Sequence, residues 1–319
     1  MTRTAWLLLG LALLGGCSLD APVPAPSPGS GGTASTSTAS GCIRLTAPAT
    51  PANGAPTAIL KDVAAGPREF LIGSPGGSVN RITEATGSSA PRFGGGRVFF
   101  SVGQGSAGQE IRTARLGDCS AHFATGTMTE VDPQGRALVV SDGGHSRILD
   151  AAGRPVAEVA GPSGTWTADG HLAVPTKSSG LTVYDLTGAA RDINLPAGST
   201  PTGPLGPSQE MVSTPAGIQT VDVRDGKLQP LPQPVTVQRL LSGSPDGNYV
   251  ALIDAQGTPE VVSLRDGHSL RLPTPGPSLG ALWESSSQWV AVQSLYGGAV
   301  MRVADGKVIE TGPLSVISW

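Results

Sequence analysis

Short apolar runs followed by alternating segments recur along the chain, and one stretch shows the pattern most clearly. A turn at 244–247 precedes the continuous apolar run Tyr249–Ile253, which is typical of a strand buried on both faces. Residues 260–265 and 269–272 then alternate, and Asp266-Gly267 between them predicts a tight antiparallel hairpin. The stretch therefore predicts three strands of one small sheet.

The same pattern fits the whole chain in seven units, with a mean spacing of about 38 residues between Gly96 and Ser287. This period lies just below the roughly 40–45 residues of propeller blades. The residue before the apolar strand is Gly66, Gly96, Gly135, Gly170, Gln209, Gly247 or Ser287. The hairpin glycine of each unit is Gly87, Gly117, Gly153, Gly188, Gly226, Gly267 or Gly306. Because no apolar positions at helical spacing extend these runs, an all-β fold is predicted.

Two turn-and-strand motifs carry a resemblance to a known group of proteins. Ser-Pro-Asp-Gly at 244–247 and Thr-Ala-Asp-Gly at 167–170 each precede an apolar strand. They resemble the repeats of bacterial β-propellers such as the Tol-system and lactonase-like propellers, over about residues 60 to 319. The resemblance implies a seven-bladed β-propeller, a fold that hosts many unrelated activities. The pattern departs at 206–209 and 285–287, where Asp-Gly is replaced.

The first and last units decide how the ring closes. Blade one is predicted to contain strands at 69–72 and 79–86 and a brief third strand near Arg92. Residues 314–319 have the pattern of an innermost strand, and we interpret them as completing blade one. Residues 57–64 are the alternative for the same place, and the sequence leaves the choice open.

The N-terminal region predicts export and a membrane anchor. Residues 5–14 are apolar but span about 15 Å as a helix, half a bilayer, so they are typical of a signal peptide. Leu14-Gly15-Gly16-Cys17 resembles the bacterial lipoprotein box, which implies that Cys17 becomes the lipid-bearing mature N-terminus. An ordinary secretory signal is the alternative. The predicted localisation is extracytoplasmic and membrane-anchored, with the outer membrane favoured in a diderm by Ser18.

Composition divides the chain into three parts. Residues 1–16 form the predicted signal peptide, residues 17–56 a lipid-anchored flexible tether rich in Pro, Ser, Gly and Thr, and residues 57–319 the propeller. Within the tether, residues 42–45 could form a short strand docked on the ring. Cys42 and Cys119 are the natural disulfide pair of an exported chain, and unpaired buried thiols are the alternative. Their bond would close a loop of about 77 residues, worth on the order of 4 kcal/mol.

Charge and aromatic content argue against several classes of partner. A net charge of −3 with 14% charged residues leaves no basic surface for nucleic acid, and no polybasic patch for lipid. Aromatic residues make up only 4% of the chain, too few for an extensive stacking platform for sugars or bases.

No pattern in the chain predicts catalysis, a cofactor or a metal site. The glycine motif at 103–108 matches dinucleotide-binding spacing but joins two strands, so a loop is predicted. The hydroxyl, carboxylate and imidazole at 141–145 lie in a predicted turn. The four histidines fall in different blades and are not expected to share a zinc ion: His122, His145, His171 and His268. Aspartates beside the turn glycines are expected to cap backbone groups: Asp132, Asp169, Asp225, Asp246, Asp266 and Asp305.

A protein-interaction role is the leading functional hypothesis. Propellers generally bind partners on one rim or in the central funnel. The candidate contacts on the rim after the buried strands are Gln104, Asp142, His145, Lys177 and Tyr296. We expect a lipid-anchored, non-enzymatic envelope scaffold that is a monomeric ring and binds an envelope protein. The alternatives are an envelope hydrolase or lactonase-like enzyme with acidic metal ligands in the funnel, and a small-ligand sensor.

Overall fold

The computed structural model describes residues 43–46, 48–49, 53–65, 69–83, 85–103, 109–142, 145–159, 161, 164–233, 235, 237–272, 274 and 276–319. The predicted signal peptide, Cys17, Cys42 and Gln104 lie outside these residues. Every regular element within them is a β-strand.

The strands are short and evenly distributed along the chain. The first fifteen are β1 Ala58–Asp62, β2 Phe70–Gly73, β3 Val79–Arg81, β4 Arg92–Gly94, β5 Arg97–Val102, β6 Glu110–Ala114, β7 Ala121–Thr125, β8 Thr127–Val131, β9 Ala137–Asp142, β10 His145–Asp150, β11 Pro155–Val159, β12 Thr165–Trp166, β13 Leu172–Thr176, β14 Gly180–Tyr184 and β15 Ala190–Asn194. The others are β16 Thr200–Leu205, β17 Gln209–Thr214, β18 Gly217–Asp222, β19 Leu228–Pro230, β20 Arg239–Gly243, β21 Tyr249–Ile253, β22 Pro259–Ser263, β23 Ser269–Arg271, β24 Ser278–Trp283, β25 Trp289–Ser294, β26 Gly297–Arg302, β27 Lys307–Glu310 and β28 Leu314–Ser318.

These strands form seven antiparallel sheets of four strands each. Six sheets use four consecutive strands, whereas the first has the order β28-β1-β2-β3. The first strands of neighbouring sheets contact one another in a closed circle, from β4 through β8, β12, β16, β20 and β24 to β28 and back to β4. The chain is therefore a seven-bladed β-propeller, as the sequence predicted, and the innermost strand of each sheet lines the centre.

Blade one is closed by strands from distant parts of the chain. β28 supplies its innermost strand and pairs with β1, so that Leu60 faces Val316 across the ladder. Both segments left open by the sequence therefore belong to this blade, 314–318 innermost and 58–62 beside it. Closure of this kind leaves no free sheet edge at the junction of the ring.

The predicted strand assignment within blade one was wrong by one position. β2 and β3 are its third and outermost strands, and β4, which contains Arg92, is instead the innermost strand of blade two. The hairpin glycine of blade one is Gly76, with φ of 68°, rather than the predicted Gly87. The displacement arises because 58–62 forms the second strand of this blade beside 314–318, which moves β2 and β3 one place outward.

The innermost strands of the other blades escaped the three-strand pattern. β12 has only two residues, and β16 contains two prolines and a glycine. Strands at the centre of the ring pair on one side only, so proline is tolerated there and the sequence carries no regular apolar period. The second strands, in contrast, are the buried runs that the pattern detected, with Val250, Ala251 and Leu252 fully buried in β21.

Apolar packing fills all seven spaces between adjacent blades. Each space holds its own cluster of buried side chains, mainly aliphatic. The cluster between blades one and two also includes Leu45. Residues 43–45 lie beside the β6–β7 loop, where Arg44 pairs with Cys119 and the Ser120 amide donates to the Ile43 carbonyl at 2.7 Å. The expected docking of this segment is confirmed.

The antiparallel blades divide the loops between two faces of the ring. Loops joining second to third strands, and links between blades, lie on what we call the upper face. Turns joining first to second and third to fourth strands lie on the lower face. The β6–β7 loop belongs to the lower face, so residues 43–45 dock there.

Polar contacts tie the lower-face turns together. Five of the six aspartates expected to cap turns accept a backbone N–H: Asp132, Asp225, Asp246, Asp266 and Asp305. Asp169 instead accepts from side chains, with His171 Nδ1 at 2.9 Å and Arg224 Nε at 2.9 Å. Burial raises the pKa of Asp169, but hydrogen bonds from His171, Thr167 and Arg224 outweigh it and hold the pKa below its usual value. Because Arg224 belongs to blade five and Asp169 to blade four, this cluster joins neighbouring blades.

Candidate functional site

The described rim residues all lie on the upper face, but they do not converge. Asp142 and His145 belong to blade three and Lys177 to blade four, whereas Tyr296 lies in blade seven across the ring. Gln104 lies outside the described residues. The predicted contacts are therefore at least two separate surfaces rather than one site.

The blade-three residues form an ordinary hairpin end. Asp142 and His145 face each other in the β9–β10 ladder and both are exposed. The Asp142 carboxylate lies 3.8 Å from the Arg147 guanidinium. The Ser141 hydroxyl is 2.7 Å from that of Ser146, so it is engaged with another hydroxyl rather than with the imidazole. The arrangement shows no hydroxyl–imidazole–carboxylate relay among these described side chains.

Blade seven carries an exposed apolar surface at the same face. Leu279, Leu295 and Tyr296 are 54%, 55% and 65% exposed, and they are the large hydrophobic side chains that stand out to solvent among the described residues. Leu279 begins the inner strand β24, and its neighbour Ser278 pairs with Ser294 of β25. The other two residues form the tight turn between β25 and β26. We call these three residues the blade-seven surface.

The turn that presents Leu295 and Tyr296 is fixed by its own polar groups. Ser294 Oγ donates to the Gly297 carbonyl at 3.1 Å and accepts from the Tyr296 amide at 3.2 Å. Gly297 has a φ of 136°, and a Cβ there would lie 1.7 Å from the Gly312 carbonyl oxygen. Only glycine fits this close approach, so the hairpin packs directly on the link to β28.

Contacts beneath and beside the hairpin hold it further. Ser315 Oγ of β28 donates to the Gly297 carbonyl, and Thr311 Oγ1 donates to the Gly298 carbonyl, each at 2.8 Å. The Tyr296 ring lies against Gly276, where an added Cβ would be 2.5 Å from the ring. The apolar side chains are thus displayed on a supported turn, and little conformational entropy is lost when such a surface binds a partner.

No protein-family model and no curated protein matches the chain. Among solved structures, the chain is similar to an oligogalacturonate lyase in complex with manganese, with a TM-score of 0.47 and 12% identity over 68% of this chain and 74% of that chain. A likeness of this degree says nothing about activity.

The described part of the chain contains neither a cluster of metal-binding side chains nor a candidate membrane-spanning helix. No group of three or more His, Cys, Asp or Glu side chains in this part of the chain could hold a metal ion. In the same residues, no helix is long and apolar enough to cross a membrane.

The sequence pattern found one member of the blade-seven surface and missed two. Tyr296 was predicted as a rim residue, but Leu279 and Leu295 were not. A two-residue hairpin turn normally carries polar residues or glycine, so Leu295-Tyr296 between Ser294 and Gly297 was an available signal. Leu279 had no comparable signal, because its exposure results from a bulge between Ser278 and Gly280.

Proposed function

We propose that this chain is a lipid-anchored cell-envelope protein whose propeller acts as a non-enzymatic scaffold and binds a protein partner through the blade-seven surface. This proposal is supported mainly by the three exposed apolar side chains at one end of blade seven. Exposed apolar groups at one place on an otherwise polar surface mark interaction sites. The other predicted rim residues, Asp142, His145 and Lys177, are polar and carry no comparable apolar area.

The partner that fits this surface is a protein with a complementary apolar pocket or side chain. Burying a large apolar side chain contributes about 1.5–3 kcal/mol, and aromatic residues such as Tyr296 frequently dominate the binding energy of an interface. The supported turn adds to this by limiting the entropy lost on binding.

Photocrosslinking from position 296 would identify the partner, and binding of the purified partner then tests the surface. We expect the double variant Leu295→Ser with Tyr296→Ser to weaken binding about 30–100-fold, which corresponds to about 2–3 kcal/mol. Isothermal titration calorimetry of the two purified proteins measures this change.

A matched control uses the other side of the ring. The double variant Asp142→Asn with Lys177→Gln changes exposed upper-face residues of blades three and four, and it should leave the affinity unchanged. Equal binding by the wild type and the blade-seven variant would show that this surface is not the contact. A large loss in the control would place the partner on blades three and four instead.

The anchor is proposed from the lipoprotein box around Cys17. Two or more acyl chains give stable membrane attachment, whereas one chain does not. We expect the wild-type chain to enter the detergent phase in a partition experiment and the Cys17→Ser variant to stay in the aqueous phase. Intact mass measurement of the mature protein provides the check, because an unmodified Cys17 would contradict the proposal.

We also propose that Cys42 and Cys119 form a disulfide, in keeping with an extracytoplasmic address. The antiparallel pairing of Arg44 with Cys119 supports this proposal, because Arg44 follows Cys42 by only two residues in the sequence. Non-reducing peptide mapping should recover the two cysteines in one linked species. Recovery of both as separately alkylated thiols would exclude the bond.

A further inference from the structure

A cleft of about 440 Å³ lies beside the central channel, where blade one meets its neighbours. Three of its lining residues come from innermost strands: Arg92 of β4, Leu282 of β24 and Ile317 of β28. The others are Lys61, Phe70, Ser88, Ala90 and Gln293. Its volume falls within the range of roughly 300–1,000 Å³ typical of small-molecule sites.

Two cations line this cleft without a paired anion. Among the described residues, no carboxylate lies within ion-pair distance of Lys61 or Arg92. Two acidic residues close to Lys61 and Phe70 in sequence have other partners: Glu69 lies 3.3 Å from Arg81, and Asp62 accepts from the Ala64 amide at 2.9 Å. The cleft therefore holds positive charge that a ligand can neutralise.

The rest of the lining is mainly apolar. Phe70 and Ile317 pack with the core between blades one and two, and Leu282 borders the cleft from blade seven. Ser88 Oγ accepts a hydrogen bond from Gln109, so its own O–H is available to donate. The lining thus combines two cations and a hydroxyl donor with an apolar wall.

We propose that this cleft binds a small organic carboxylate, with the carboxylate between Lys61 and Arg92 and the apolar part of the ligand against Phe70, Leu282 and Ile317. A guanidinium and an ammonium group are the side chains that bind carboxylates most effectively in proteins. This site goes beyond the proposed scaffold function and does not depend on it, since none of its lining residues belongs to the blade-seven surface.

A monoanion fits better than a phosphate dianion. Glu130 of β8 lies near Arg92: burial raises the pKa of Glu130, and the positive charge of Arg92 lowers it. In its ionised form Glu130 offsets part of the positive charge that Arg92 presents, which reduces the attraction for a second negative charge on the ligand.

Titration of the full propeller with three matched probes tests the assignment. We expect benzoate to bind with a millimolar Kd, phenyl phosphate to bind no more tightly, and neutral benzyl alcohol to bind at least tenfold more weakly. Arg92→Gln and Lys61→Gln should each weaken benzoate binding at least fivefold, whereas Lys177→Gln should not change it. Saturation-transfer NMR or calorimetry provides the affinities, and thermal melts confirm that each variant is folded.

Several results would overturn the assignment. Equal affinity for benzoate and benzyl alcohol would show that charge plays no part, and tenfold tighter binding of phenyl phosphate would identify a phosphate site. Tenfold tighter binding of the peptide Ala-Ala-Phe with a free C-terminal carboxylate would indicate that the cleft receives a protein chain end. Failure of benzoate to bind the wild type would exclude the site, whether or not a protein partner binds the blade-seven surface.

Discussion

Removal of residues 314–319 is expected to destabilise the propeller by at least about 5 kcal/mol, which is the whole stability of many domains. β28 is the innermost strand of blade one. Its residue Val316 is only 2% exposed and pairs with Leu60 of β1, which is fully buried. Each large apolar side chain exposed by the deletion costs about 1.5–3 kcal/mol. The open edge of β1 would also be free to pair with other chains.

Urea unfolding followed by circular dichroism measures this effect. A deletion of equal length within the predicted tether, residues 31–36, serves as the control and should leave the unfolding free energy unchanged. If the truncated chain cannot be purified folded, Val316→Ala gives a graded test, with an expected loss of about 2 kcal/mol. Closure by β28 would be unimportant if the two deletions unfolded at the same urea concentration.

Replacement of Glu210 by glutamine is expected to abolish a large loss of folding stability that the wild type undergoes at alkaline pH. The Glu210 side chain is buried in β17, with the residue only 2% exposed. Its carboxylate accepts from Thr165 Oγ1 of blade four at 3.1 Å. Burial raises the pKa of Glu210 to about 8, and hydrogen bonds from Thr165 and the Gly203 amide lower it by less. The carboxyl group is therefore mostly protonated in the folded chain at neutral pH.

The direction of the pH effect follows from this raised pKa. The folded chain holds the Glu210 proton more tightly than the unfolded chain does. The stability that this proton contributes is therefore fully present below about pH 4.5 and is lost as pH rises through about 8. At about 1.4 kcal/mol per pH unit, the free energy of unfolding of the wild type should fall by roughly 2–3 kcal/mol between pH 6 and pH 9 relative to that of Glu210→Gln. Urea unfolding of both proteins at the two pH values provides the measurement.

An exposed glutamate provides the comparison for this experiment. Glu158 lies on the outer strand β11, and Glu158→Gln should keep the wild-type pH dependence. Parallel pH profiles for wild type and Glu210→Gln would show that the buried carboxyl does not titrate in this range.

The sequence predicted the number of blades and their closure because these depend on repeated local signals. The second strand of each blade is buried on both faces, so its apolar run is visible without knowledge of the fold, as in Tyr249–Ile253. The tight turns add glycines at a fixed interval, such as Gly267 and Gly306. Residues 314–318 were recognised for the same reason, since their strand pattern had no following blade to join.

The remaining features depend on contacts between distant residues. The innermost strand Thr200–Leu205 has no regular apolar pattern, because it pairs on one side only. Glu210 is buried by blade four packing against blade five, and nothing beside it in the sequence indicates this. Lys61 and Arg92 come together where blade one packs on blade two, and ring closure adds Leu282 and Ile317 to the same cleft. The described rim residues share the upper face, but their separation between blades three, four and seven required the ring itself.

The docking of residues 43–45 on the lower face has a consequence for orientation. The chain that leads toward the amino end meets the ring there, beside Cys119, whereas Leu295 and Tyr296 project from the opposite side. A ligand that covers Leu295 and Tyr296 would therefore leave the docked residues 43–45 uncovered on the other face of the ring.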